Sequence, residues 1–316
     1  MKSTVKKSLI AVGVAAAIGL GNTTANAGVL ASSAFTVSDF LIWNIGDGTD
    51  PGFVATVLTA GDFQTFFATS NANVDVDNGA GLSDGNGFNG PLVSNTDLSS
   101  VCVGNCSSTP AENNFDVLTA PVSGNFSYSD QLLLNAPFVS GIETGATLQL
   151  RSDVSLTGTG EGSAASNQGL DASFIFSLEN PVAFAFDFFA NLQLRAFTDV
   201  GTMFPGNAQA SSSLHITITD LQNNTIYDFN NAGVETGCDL DVTRNRNAPF
   251  NGLTSYSCVD NFYDATAVLA AATPYQLSIR QDTAADALFI PEPGTLALLG
   301  AGLFGLGMAR RRRSQK

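Results

Sequence analysis

The feature that most constrains this 316-residue chain is a repeated alternation of apolar and polar residues with a period of two. Between Thr147 and Thr157, Leu148, Leu150, Val154 and Leu156 fall on one side, while Thr147, Gln149, Arg151, Asp153 and Ser155 fall on the other. Successive side chains of an extended strand point to opposite faces, so this pattern predicts a half-solvated strand. Phe174, Phe176 and Leu178 alternate likewise, Asn180-Pro181 makes a turn, and Phe184, Phe186 and Phe188 resume the pattern. Leu214, Ile216 and Ile218 follow, with Asn223-Asn224 as a two-residue hairpin signal before Thr225 to Phe229. Further strands are expected at Val54 to Leu58, Phe126 to Tyr128 and Tyr275 to Arg280, and one short helix capped by Asp264 and running to Ala271. Runs rich in Gly, Asn, Asp and Ser, the longest from Asn71 to Asn95 and the next from Gly158 to Gly169, read as loops. The fold class is therefore all-β, an antiparallel β-sandwich or jelly-roll-like body, because polar alternation argues against a parallel sheet covered on both faces. A single domain over residues 28–290 is favoured over two lobes meeting near Pro110 to Pro121.

Charge divides the chain into three. Lys2, Lys6 and Lys7 stand at one end and Arg310, Arg311, Arg312, Arg313 and Lys316 at the other, whereas residues 28–290 hold five arginines, no lysine and 27 carboxylates. A body of net charge −22 repels phosphate backbones and anionic headgroups, which excludes nucleic acid as a partner. Residues 1–27 combine a basic start, an apolar stretch from Leu9 to Leu20 and small residues at Ala25-Asn26-Ala27. This layout predicts a secretory signal helix that signal peptidase removes after Ala27, so that the mature chain begins at Gly28.

Residues 291–316 read Pro291-Glu292-Pro293, an uncharged apolar stretch over 294–309, and then the arginines. As a helix those 16 residues would span roughly 24 Å, enough to cross the inner membrane if the arginines snorkel to the cytoplasmic side and stop transfer there. Ala301, Gly305 and Ala309 repeat small residues at every fourth position, a surface for close helix packing. The Pro-Glu-Pro motif, apolar helix and terminal Arg cluster resemble the PEP-CTERM sorting signal of exopolysaccharide-producing Gram-negative bacteria. The resemblance implies recognition of Pro291, Glu292 and Pro293 by an exosortase, a membrane-embedded cysteine protease. Two prolines hold an extended segment at the membrane surface, where a protease can bind it before the helix begins. A looser likeness covers Phe174 to Asp228, which is similar to the bodies of exosortase-dependent surface proteins and implies β-rich architecture without chemistry.

Cys102 with Cys106 and Cys238 with Cys258 form two local pairs, which in an exported chain read as two disulfides, although four cysteines permit three connectivities. A zinc site is not expected, because the sole histidine, His215, is remote from Cys102 and Cys106. His215 falls on the polar side of its strand and no serine sits in a nucleophile-elbow pattern, so catalytic-triad chemistry is not expected either. Paired carboxylates for glycoside hydrolysis remain open in principle, but only the fold can bring such a pair together. Asp75, Asp77 and Asp84 lie in a Gly-rich stretch and form a candidate calcium site, against the plainer reading of a solvated loop; no other cofactor is expected. Asp239 and Asp241 beside Cys238 are a lesser candidate.

These readings converge on a non-catalytic protein of the cell surface or biofilm matrix, exported, transiently anchored in the inner membrane and processed by an exosortase. The alternative is a carbohydrate-binding or adhesive module, whose partner would be exopolysaccharide and whose mark would be exposed aromatic residues including Trp43, the only tryptophan. A carboxylate-based glycoside hydrolase ranks third.

Overall fold

The alternating segments form strands, and every pairing between them is antiparallel. The computed structural model describes residues 28–50, 52–58, 67–76, 82–89, 96–134, 145–158, 160–199, 206–229, 238–247 and 251–289; the expected signal helix, the sorting segment and its membrane helix lie outside them. Fourteen strands follow in order: β1 (Gly28–Asn44), β2 (Thr56–Val57), β3 (Phe67–Val76), β4 (Leu82–Asn89), β5 (Thr96–Gly104), β6 (Phe126–Leu134), β7 (Ala146–Leu156), β8 (Gly160–Ser177), β9 (Phe184–Asp199), β10 (Gly206–Asp220), β11 (Thr225–Asp228), β12 (Val242–Asn247), β13 (Gly252–Ala265) and β14 (Pro274–Phe289). They build two sheets, here called A and B. Sheet A runs β13-β9-β1-β7-β6-β5, with β2 also on β1, and sheet B runs β11-β10-β14-β8-β3-β4, with β12 also on β10. Strands β1 and β7 pack across the interior on β8, β10 and β14, which makes a sandwich.

Side-chain size divides the core along the strands. At one pole Phe40, Phe176, Phe184, Phe186, Phe188 and Phe262 are buried together, with Phe40 and Phe188 stacked at 5.6 Å and Phe188 and Phe262 at 5.2 Å between ring centres. At the other pole the core is mostly alanine and valine, among them Ala31, Ala72, Val74, Val154, Ala164, Ala208, Ala285 and Ala287, with Leu156 and Phe289. Between the poles the sheets come close enough for serine hydroxyls to reach main chain across the interior. Ser129, Ser152 and Ser33 form one register row over β6, β7 and β1. Their hydroxyls bond the carbonyls of Ala165 at 3.2 Å, Thr283 at 3.2 Å and Ser211 at 2.9 Å on sheet B. The Gln281 amide likewise donates to the Phe35 carbonyl at 3.0 Å. A short polar side chain is tolerated there because its one donor is satisfied.

Three expectations need correction. β7 is not half-solvated: Leu150 to Leu156 are buried on both faces, because the segment from 105 to 122 lies over the outer face of β1, β6 and β7. The Gly-rich runs are in large part strand: β3 and β4 occupy much of Asn71 to Asn95, and β8 begins at Gly160 and pairs with both β14 and β3. The helix from Asp264 to Ala271 does not form. Asp264 belongs to β13, where its carboxylate accepts a 2.9 Å bond from the Tyr227 hydroxyl of β11, and Leu269 forms an antiparallel main-chain bridge with Val182 instead of a helical turn.

Candidate functional site

The outer face of sheet A carries a buried ionic layer. Asp130 on β6 lies across from Arg151 on β7, and Asp153 across from Ser32 on β1. Arg151 is 1% exposed; its Nε donates to Asp153 at 2.5 Å and its Nη1 to the Asn114 carbonyl at 2.5 Å. The Ser32 hydroxyl also donates to Asp153 and accepts from Leu118 N at 3.0 Å. Asp130 accepts from Asn113 N at 2.7 Å and the Tyr128 hydroxyl at 2.9 Å. The guanidinium thus lies against Asp153 and across the register from Asp130 in a buried layer, and burial raises the pKa of both Asp130 and Asp153 from its ordinary value. Three of these contacts, through Asn113, Asn114 and Leu118, fasten the covering segment to the sheet. The Cys102–Cys106 disulfide, with Cα atoms 5.9 Å apart, fixes where that segment leaves β5.

Both ends of the described body lie at the alanine pole. Gly28 opens β1 opposite Asp199, and Phe289 closes β14 opposite Gly160 and Gly206; Val29 and Phe289 share one core cluster. Beside this exit from β14 the outer face of sheet B holds a pocket of about 360 Å³ lined by Asp75, Glu161, Ser163, Asn207, Asp286 and Leu288. Asp75, Ser163 and Asp286 are register neighbours, and desolvation raises the Asp286 carboxyl above its ordinary value. The carboxylates make this pole unfavourable for anionic headgroups.

At Phe289 the sequence enters the segment that decides the matter: residues 289–313 match the model of the PEP-CTERM protein-sorting motif. The chain carries a PEP-CTERM sorting motif. The motif marks an exosortase-targeted surface protein and implies export. No curated protein and no solved structure matches the chain. The PEP-CTERM match thus covers the tag, and the body must be read from its own geometry.

The other expected site residues fall apart in space or beyond view. Ala25, Ala27, Pro291, Glu292, Pro293 and Arg310 to Arg313 lie outside the described residues. The structure joins Cys238 to Cys258 as well as Cys102 to Cys106; the first bridge ties β13 of sheet A to the segment that leads into β12 of sheet B. Of the candidate calcium ligands, Asp75 lines the pocket, Asp84 pairs in register with Ala72 rather than with Asp75, and Asp77 is outside the described residues. Asp239 is exposed, and its side chain accepts from Asp241 N at 2.9 Å in a local turn. His215 is exposed on β10 opposite Arg280, and Trp43 is half-buried on β1 between Ala185 and Val57. Sequence reasoning missed the pocket because Asp75, Glu161 and Asp286 come from three strands distant in the chain, two of them in stretches rich in Gly, Ser and Asn.

Proposed function

We propose that this is an exported, non-catalytic protein of the cell surface or extracellular matrix. A signal cleaved after Ala27 delivers it, residues 294–309 hold it in the inner membrane, and an exosortase releases it by cutting beside Pro291-Glu292-Pro293. The observation that carries the reading is the PEP-CTERM match beginning at Phe289, the last residue of β14, so that the tag starts where the last described strand ends. Support also comes from the two disulfides, which suit an oxidising compartment, and from Gly28, where the first strand starts one residue after the expected signal cleavage point. Mass spectrometry of the protein from cells with an active exosortase is expected to find a C-terminus that lacks Arg310 to Arg313. Mature protein that retains Arg313 would overturn the processing step.

A further inference from the structure

One margin of sheet A is long, regular and open. β13 runs for 14 residues, pairs with β9 without a break in register, and has no strand on its other side among the described residues. Other margins are shorter or broken: β5 is irregular between Leu98 and Val101, and β11 and β12 span 4 and 6 residues. Just past the end of β13, Thr266 N bonds the Phe184 carbonyl of β9 at 2.8 Å, so even-numbered residues turn their main chain toward β9. Asn261 N and Ala265 N face the other way and are taken by the carboxylates of Asp260 and Asp264, each at 2.8 Å. By the same alternation the N–H and C=O groups of Leu253, Ser255, Ser257 and Val259 point to the open margin. Natural edges are commonly guarded by lysine, proline or a bulge, and β13 has none of these. Its outer face instead presents Leu253, Val259 and Tyr263 at 46%, 59% and 62% exposure.

Charge along this margin is divided by end. Arg195 is in register with Ser255, the Arg244 guanidinium lies 4.5 Å from the centre of the Tyr256 ring, and Arg246 donates to the Asn251 carbonyl. These are three of the five arginines of the body, and none forms an ion pair among the described residues. Asp199 and Asp239 stand at the same end, Asp239 turned onto Asp241 N. The far end holds Asp260, Asp264 and, in register with Tyr263, Asp187, with no cation on that half of either strand. An edge with all its cations toward Gly252 and carboxylates alone toward Ala265 complements itself under a two-fold rotation.

We propose that two copies of the chain join through this margin. β13 pairs antiparallel with β13 of the second copy about a two-fold axis at Cys258, and sheet A continues from one copy into the next. Only residues with outward main-chain groups can meet, so Leu253 lies opposite Tyr263, Ser255 opposite Asn261 and Ser257 opposite Val259 of the second copy. The exposed apolar side chains thereby cover one another across the junction. On the inner side Tyr256 stands opposite Asp260 of the second copy, which brings Arg244 beside that carboxylate. Asn261 N then exchanges Asp260 for the Ser255 carbonyl of the second copy, and the released carboxylate turns to Arg244. Repulsion between two bodies of charge −22 is spread over their surfaces and screened beyond about 8–10 Å, whereas these opposite charges are close.

Sedimentation velocity of the full chain in detergent micelles tests this. A dimer is expected that dissociates on dilution and weakens at high salt. Val259→Lys sets cations on both copies beside the axis, and Arg244→Glu opposes Asp260; each should weaken association about tenfold without changing the melting temperature. Arg244→Glu combined with Asp260→Arg should restore the dimer, which a merely misfolded variant could not do. Gly305→Leu, in the apolar stretch of the tag, should leave it unaltered. A monomer at every concentration would overturn the proposal, as would a dimer that survives Val259→Lys but not Gly305→Leu, or a charge swap that restores nothing. Assemblies larger than a dimer that Val259→Lys abolishes would show open head-to-tail pairing, and would overturn the two-fold arrangement.

Discussion

Arg151 shows how one buried side chain can fasten an otherwise irregular segment. Its guanidinium bonds Asp153 and the Asn114 carbonyl, and it is the sole cation in a layer with Asp130 and Asp153. Arg151→Met keeps much of the volume but strands two buried carboxylates, and a loss of about 3 kcal/mol or more is expected in urea unfolding. The pH dependence follows from the same layer. Burial holds the folded pKa of Asp130 and Asp153 above that of an exposed aspartate, so between the unfolded and folded values the folded chain holds more protons than the unfolded one. Stability therefore falls as pH rises through the folded values and is regained on acidification. Asp47 and Asp220, lowered chiefly by side-chain hydrogen bonds from Thr49 and Asn224, act in the opposite sense, and only once pH drops below the ordinary carboxylate range. Melting temperature is expected to rise as pH is lowered from neutrality toward the ordinary carboxylate range, and to rise less in Asp130→Asn; no rise, or a fall, in the parent protein would refute it. The sequence shows Arg151 and Asp153 correctly on the polar side of a strand. It cannot show that this side is covered, because residues 105–122 have no periodicity that announces packing.

At the scale of elements, small residues decide how near the sheets come. Gly162 of β8 faces the interior, where an added Cβ would lie 2.7 Å from Val154 Cγ1 and 2.9 Å from the Ser127 hydroxyl. That hydroxyl donates to the Asp75 carbonyl at 2.6 Å and ties β6 to β3 across the sandwich. Gly162→Ala is expected to push the sheets apart locally and cost about 1–3 kcal/mol, measured by urea unfolding, whereas Ser163→Ala, exposed on the opposite face of the same strand, should cost far less. The same residues explain a misreading. The strands around Phe184 to Phe188 and Leu214 to Ile218 are legible because large apolar groups alternate with polar ones. In Gly160 to Gly169 the inward positions include Gly162 and Ala164, and a glycine facing inward looks, in sequence, like a glycine in a turn. The pattern was present at reduced amplitude, set by the narrow pole it fills.

Across the whole molecule, chain order and sheet order are deliberately far apart, and this links folding to sorting. β1, first in the chain, lies between β7 and β9, while β14, last in the chain, lies between β8 and β10. No local sequence signal specifies such pairings, which is why strands were readable but their order was not. The last strand is central to sheet B and runs within one residue of the tag: Phe289 ends β14, Ile290 follows, and Pro291 begins the motif. The body therefore cannot close until the segment next to the sorting motif has been made, and non-local strand insertion of this kind is slow relative to hairpin formation. A chain truncated after Thr273 lacks β14, so β8 and β10 lose their shared neighbour and the core loses Leu277, Ile279, Ala285 and Ala287. It is expected to show no cooperative thermal transition and to be degraded by added protease under conditions where the full chain resists. A truncated chain that unfolds cooperatively would show that the body closes without its last strand, and would separate folding from presentation of the tag.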